Sequence, residues 1–130
     1  HSPVQDILAF LHSPLGKMAR TSLVRKELPF SILLPAQLFY ESCEPEENIF
    51  LQGVIDCLLE QDDKLIIIDY KTDFARTEEE LIAHYAVQLN LYAYAIQRIY
   101  AMPVSHMYLW SFRLKKAIPI PFHCRNLRTI

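Results

Sequence analysis

Gly53-Val54-Ile55-Asp56-Cys57-Leu58-Leu59-Glu60, then Gln61-Asp62-Asp63-Lys64, then Leu65-Ile66-Ile67-Ile68-Asp69-Tyr70-Lys71 is the stretch on which the fold turns. Two runs rich in β-branched and apolar residues flank a short polar tetrad, the sequence pattern of a β-hairpin. A turn centred between Asp62 and Asp63 places Asp56 opposite Asp69 on the antiparallel partner. Side chains alternate along a strand, so Asp69 and Lys71 share a face and Asp56 joins them from the neighbouring strand. Opposed carboxylates weaken a sheet. A cation between them reverses the sign, and with Cβ atoms about 5 Å apart both groups can reach one hard divalent ion such as Mg²⁺ or Mn²⁺. Lys71 then stands ready to hold an anionic substrate or to help deprotonate a water. The alternative is a solvent-facing hairpin with an ordinary Asp-x-Lys ion pair. Against it, Asp69 ends the apolar run Leu65 to Ile68, which reads as an interior strand.

The chain has 130 residues, enough for one domain with a real core. Hydrophobic residues make up 52% and charged residues 22%, which excludes a disordered chain. A net charge of -2 gives no global nucleic-acid footprint, so any such site is local. The three cysteines, Cys43, Cys57 and Cys124, form no Cys-x-x-Cys pair and no disulfide framework. A reducing cytoplasm is the expected setting, with no membrane association, because no apolar run approaches the roughly 18 residues of a span. The start at His1, with a helix signal almost at once, suggests a piece of a larger protein.

Ser2-Pro3 opens an expected short helix to about His12, and Ser13-Pro14 a second through Leu15 to Arg20. Val24 to Leu34 reads as a strand in which Pro29 implies an edge, a bulge or a break. Glu27 on that strand is a candidate acid for the metal cluster; a Glu on an edge strand is also commonly just solvated. Beyond Lys71, Thr77 and Glu80 form a capping box ahead of a long helix to about Tyr100. Leu81, Tyr85, Gln88, Tyr92, Ala95 and Ile99 mark its apolar stripe, in which the amide of Gln88 requires a partner. Val104 to Lys115 alternates as a third sheet strand, and Ala117 to Phe122 reads as a proline-limited edge strand. Arg113, Lys115, Lys116, Arg125 and Arg128 make a basic cluster, either a solvated rim or a patch that tracks phosphates. The expected architecture is α/β, a central mixed sheet of about five strands flanked by helices.

Gly53-x-x-Asp56, Asp69-Tyr70-Lys71-Thr72-Asp73 and Gln88-Leu89-x-Leu91-Tyr92 together resemble the signature of RecB-type nucleases of the PD-(D/E)XK superfamily. The resemblance is closest to the C-terminal nuclease domains of AddA-type helicase-nucleases, and it runs from about Phe10 to Tyr100. It implies a restriction-endonuclease-like core and Mg²⁺-dependent hydrolysis of DNA phosphodiesters, with Mn²⁺ as a substitute ion. Asp56 and Asp69 are thereby implied as metal ligands, with the main-chain carbonyl of Tyr70 as a third. Lys71 is implied to orient or activate the attacking water and to stabilise phosphoryl charge. Gln88 and Tyr92 are implied to hold the site or the strand, with Thr72 and Glu27 as supporting positions. The implied setting is double-strand-break repair, in which a helicase motor feeds a single DNA strand to the domain beside an AddB-like partner.

The family's metal-ligating His, in an upstream Gly-Thr-x-x-His-like context, has no counterpart here, since His1 and His12 lack that surrounding. A fragment that begins after the ligand, with weakened metal binding, is the expectation. A non-hydrolytic DNA-strand guide or docking domain is the competing one. With only Gly16 and Gly53, no Gly-x-x-x-x-Gly-Lys phosphate loop can be written, so ATP belongs to a helicase part outside this sequence.

Overall fold

A computed structural model describes residues 10, 12–20, 22–38, 40, 42–73 and 76–123. The expected first helix falls mainly outside these residues, and His1, Cys124, Arg125 and Arg128 fall outside them entirely. The elements are α1 (Pro14–Arg20), β1 (Leu23–Pro35), a 3-10 turn (Ala36–Leu38), β2 (Asn48–Gln61), β3 (Lys64–Lys71), α2 (Glu78–Tyr100), β4 (Val104–Ser111) and β5 (Lys116–Pro119). One five-stranded sheet in the order β1-β2-β3-β4-β5 is antiparallel except at β3 and β4, which α2 joins as a parallel pair. No helix among the described residues is long and apolar enough to cross a membrane.

The central hairpin forms because the chain reverses tightly at Asp62-Asp63. Both adopt positive φ, 54° and 60°, the left-handed pair that matches the twist of flanking strands. Gln61 pairs with Lys64 across this turn, and the ladder runs back to Cys57 with Ile68. The register is the expected one, but the ladder stops one step before Asp56 and Asp69. Ile66 to Ile68 are buried on both faces of the sheet. Ile67 packs with Leu81, Leu89, Ala93 and Ile96 of α2, whereas Ile66 and Ile68 pack with Leu15 and Trp110 on the α1 side. Two covered faces explain why this strand reads as a continuous apolar run.

The ladder ends where alternation slips. Leu51 and Ile55 pack toward α2, yet so does Leu58, while Cys57 and Leu59 face α1. On β1 the same inversion occurs across Glu27: Leu28, Phe30 and Ile32 pack toward α2, and so does Arg25, whose guanidinium stands 5.4 Å from the Tyr100 ring centroid. Glu27 takes φ 49°, the local kink that lets β1 invert. Lys26 pairs with Cys57 and Leu28 with Ile55, so the two strands kink together without losing register.

Helix α2 opens with the expected capping box: Thr77 Oγ1 accepts from Glu80 N at 3.2 Å, and Glu80 Oε1 accepts from Thr77 N at 3.0 Å. It ends at Ala101 in the left-handed conformation, ahead of Pro103. Its buried line is Leu81, Leu89, Ala93, Ala95 and Ile96, with Ile99 43% exposed and Gln88 at the margin. The expected stripe was therefore rotated from the true one. Buried Asn90 is fully used: Nδ2 donates to Ala86 O and Pro121 O, and Oδ1 accepts from His123 N at 2.7 Å. β4 ends at Ser111, not Lys115, because Ser111 Oγ accepts from Leu114 N and Lys115 takes φ 54°, which turns the chain into β5. β5 is correspondingly short and stops at Pro119.

Asp63 holds a left-handed conformation that costs a non-glycine residue roughly 1–2 kcal/mol, against about 0.5–1 kcal/mol of added chain entropy for glycine. Asp63→Gly is therefore expected to raise stability by about 0.5–1 kcal/mol. The midpoint of urea denaturation measures it.

Candidate active site

The carboxyl ends of the parallel strands β3 and β4 carry Asp69 beside Leu109 and Lys71 beside Ser111. Open α/β sheets bind ligands at this end, where helix and strands diverge. The kink in β2 turns the Asp56 carboxylate sideways into the gap left by the ended ladder. There Oδ2 accepts from the backbone N–H of Tyr70 at 2.8 Å. A side chain thus takes over from a main-chain carbonyl, and it comes within hydrogen-bonding reach of the Asp69 carboxyl.

Two half-buried carboxylates in contact are uncomfortable. Burial, and after it the hydrogen bond to Asp56, lift the Asp69 pKa to about 6, although Lys71 pulls the other way. Lys71 Nζ donates to Asp69 Oδ2 at 2.8 Å, with the two side chains 20% and 13% exposed. Burial disfavours that ammonium, but the bond and charge of Asp69 outweigh it and raise the Lys71 pKa. The ammonium also stands 4.0 Å from the centroid of the Tyr85 ring.

Glu27 is exposed on the kink and His12 is exposed after the α1-side residue Phe10. Among the described residues no group of three or more His, Cys, Asp or Glu converges as a metal cluster, so neither joins the pair. Thr72 follows Lys71 as an exposed residue. The donor set that the geometry brings together is two carboxylates. It suits Mg²⁺, which keeps several waters and needs only one or two protein carboxylates beside a substrate phosphate.

Gln88 and Tyr92 lie on α2 over β2. Gln88 Nε2 donates to Tyr92 Oη at 3.2 Å, and the Tyr92 ring meets Phe30 edge-on at 4.9 Å. Gly53 explains itself here, because a Cβ at that position would lie 2.5 Å from Tyr92 Oη and 2.6 Å from Cζ. The glycine three residues before Asp56 lets a helix tyrosine lie flat on the strand that carries the carboxylate.

Sequence reasoning missed the group beyond Lys71. Tyr85 Oη donates to Asp73 Oδ2 at 3.0 Å, and Asp73 pairs with Arg76 Nε at 2.9 Å. Arg76 O in turn accepts from Arg113 Nη1 at 3.1 Å. The signal was the spacing Tyr85, Gln88, Tyr92, which puts three polar-tipped residues on one helix face.

Residues 5–124 match the model of the PD-(D/E)XK nuclease superfamily. The chain belongs to that superfamily. Its core is therefore that of a nuclease, and members of the superfamily generally use divalent metal ions. An ATP-dependent helicase/nuclease subunit of Listeria innocua is 40% identical over 119 residues, covering 84% of this chain and 10% of that protein. The protein of the same name from Oceanobacillus iheyensis is 38% identical over 128 residues, 92% of this chain and 10% of the relative. The chain thus spans about a tenth of the length of these relatives. The fold is also similar to the crystal structure of SSO0001, with a TM-score of 0.54 and 15% identity over 98% of this chain and 57% of that one.

The close fit of Gly53 under Tyr92 gives a direct expectation. Gly53→Ala forces a rigid ring or a strand to move and is expected to cost about 1–3 kcal/mol, the usual range for overpacking. Chemical denaturation followed by intrinsic fluorescence measures it.

Proposed function

We propose that this PD-(D/E)XK domain hydrolyses DNA phosphodiester bonds with a divalent cation, Mg²⁺ by preference, held between Asp56 and Asp69. The observation that carries this reading is the meeting of those carboxylates, beside the Lys71 ammonium, at the open end of β3. A divalent ion there supplies Lewis acidity, which brings the pKa of water toward neutrality and offsets negative charge growing on the phosphoryl oxygens. Asp56 and Asp69 would hold it through oxygen, and the Tyr70 carbonyl would be the third donor. Lys71, an ammonium with three N–H donors, places a fixed positive charge and a hydrogen bond against a non-bridging phosphate oxygen. Asp56 is kept in position by the Tyr70 N–H, and Gln88, Tyr92 and Gly53 hold α2 against the strand behind it.

The names of the relatives support a wider setting. In that setting the domain is the exonuclease part of a helicase-nuclease, works with a second, AddB-like protein, and receives single-stranded DNA from the motor. Cytoplasmic double-strand-break repair and recombination is the proposed context.

In the full-length protein, Mg²⁺-dependent release of nucleotides from labelled single-stranded DNA is expected to fall by about 10²-fold or more in Asp69→Asn, Asp56→Asn and Lys71→Ala. EDTA is expected to abolish it. DNA binding without cleavage, indifferent to EDTA and to all three substitutions, would mean that the domain is a strand guide instead.

A further inference from the structure

Lys71 shares its carboxylate partner with the proposed ion. Its ammonium donates to Asp69 Oδ2, an oxygen of the carboxylate that the proposed ion would also use. A lysine on a flexible four-carbon stem, once displaced from its carboxylate, is free to swing into water. Here it has a second berth: the Tyr85 ring face, with the nitrogen 4.0 Å from the centroid, inside the roughly 6 Å range of cation–π attraction.

The ring is itself anchored. Its hydroxyl donates to both oxygens of Asp73, at 3.0 and 3.2 Å, and Asp73 is paired with Arg76. The Arg76 carbonyl, bonded by Arg113 from the β4–β5 turn, ties the loop after β3 to the loop after β4. Donation of a phenol proton to a carboxylate also enriches the ring in electron density, which deepens the negative potential that the ammonium meets. Tyr85 lies one turn before Gln88, so the same rigid helix holds Lys71 at one point and the Gly53 strand at the next.

We propose that Tyr85 is a positioning residue of the nuclease site: its ring face, anchored through Asp73, keeps the Lys71 ammonium at the reacting phosphate when a metal ion draws on Asp69. The inference rests on the nuclease reading above. It assigns Asp73 and Arg76 a part in positioning Lys71, although none of Tyr85, Asp73 or Arg76 touches the reacting atoms.

The test uses the full-length protein with Tyr85→Phe, then with phenylalanines bearing one, two and three ring fluorines at position 85, which keep the shape and drain the face of negative charge. Tyr85→Phe is expected to lower kcat about threefold, and the fluorinated series to lower it stepwise by a further tenfold or so, with KM for DNA within about twofold. A second readout needs neither metal nor activity: acylation of the Lys71 amine, followed by mass spectrometry, is expected to quicken along the same series. A flat kcat across the series, while Asp69→Asn is inactive, overturns the role of Tyr85 and leaves the nuclease reading intact. Cleavage that survives Asp69→Asn overturns both. Faster acylation without any change in kcat shows a clamp that does not serve catalysis, and it too overturns the proposal.

Discussion

Asp56 and Asp69 come together at the end of the β2–β3 ladder, both only partly exposed. Two like charges brought together in a partly buried site repel each other. A single charge-assisted hydrogen bond returns roughly 1.5–3 kcal/mol. The protein supplies two, from the Tyr70 N–H to Asp56 and from the Lys71 ammonium to Asp69. Even so, the Asp69 pKa rises to about 6, mainly through burial and then through Asp56. A site compensated only to that degree would gain from the divalent ion proposed above. An exposed ion pair has no such residual demand, and this separates the arrangement from an ordinary solvated hairpin.

The convergence depends on an irregularity in the sheet. A regular β2 would send Asp56 into the ladder and leave its carboxylate on the face of the strand. The paired kink at Glu27 and Asp56 breaks alternation on both strands at one level and aims the carboxylate along the sheet toward Tyr70. The cost is the end of main-chain pairing between β2 and β3. The Asp56 side chain replaces part of what is lost, because it satisfies the N–H that the ladder leaves open.

Much of this was legible in the chain because its signals are local. The Asp62-Asp63 turn fixes the hairpin register, the capping box fixes the start of α2, and a helix between two apolar strands implies a parallel pair. The slip at Glu27 and Asp56 was not legible, since it follows from how two strands bend together over a helix. Nor was the end of β4: alternation in the sequence continues through Phe112 and Leu114, and only the Ser111 hydroxyl, bonded to Leu114 N, shows the turn. In the site, the Asp-x-Lys face could be read from spacing. The fit of Gly53 to Tyr92 and the seat of Lys71 on Tyr85 join residues far apart in sequence, which no periodicity encodes.

The same helix solves the problem that the kink creates. Where main-chain bonds stop, the relative placement of β2 and β3 is no longer set by a ladder, yet a reaction at phosphorus tolerates only small errors in the positions of its catalytic groups. Helix α2 replaces the missing constraint with side-chain contacts to both strands: Tyr92 on Gly53 beside the Asp56 kink, and Tyr85 over Lys71 at the end of β3. Because these residues lie two turns apart on one continuous hydrogen-bonded rod, the separation of the two strand ends is fixed by helix geometry. The helix in turn is held at its start by the Thr77 cap and along its length by Asn90, whose amide bonds secure the segment after β5. The groups proposed to act on DNA are therefore positioned by side-chain contacts from α2.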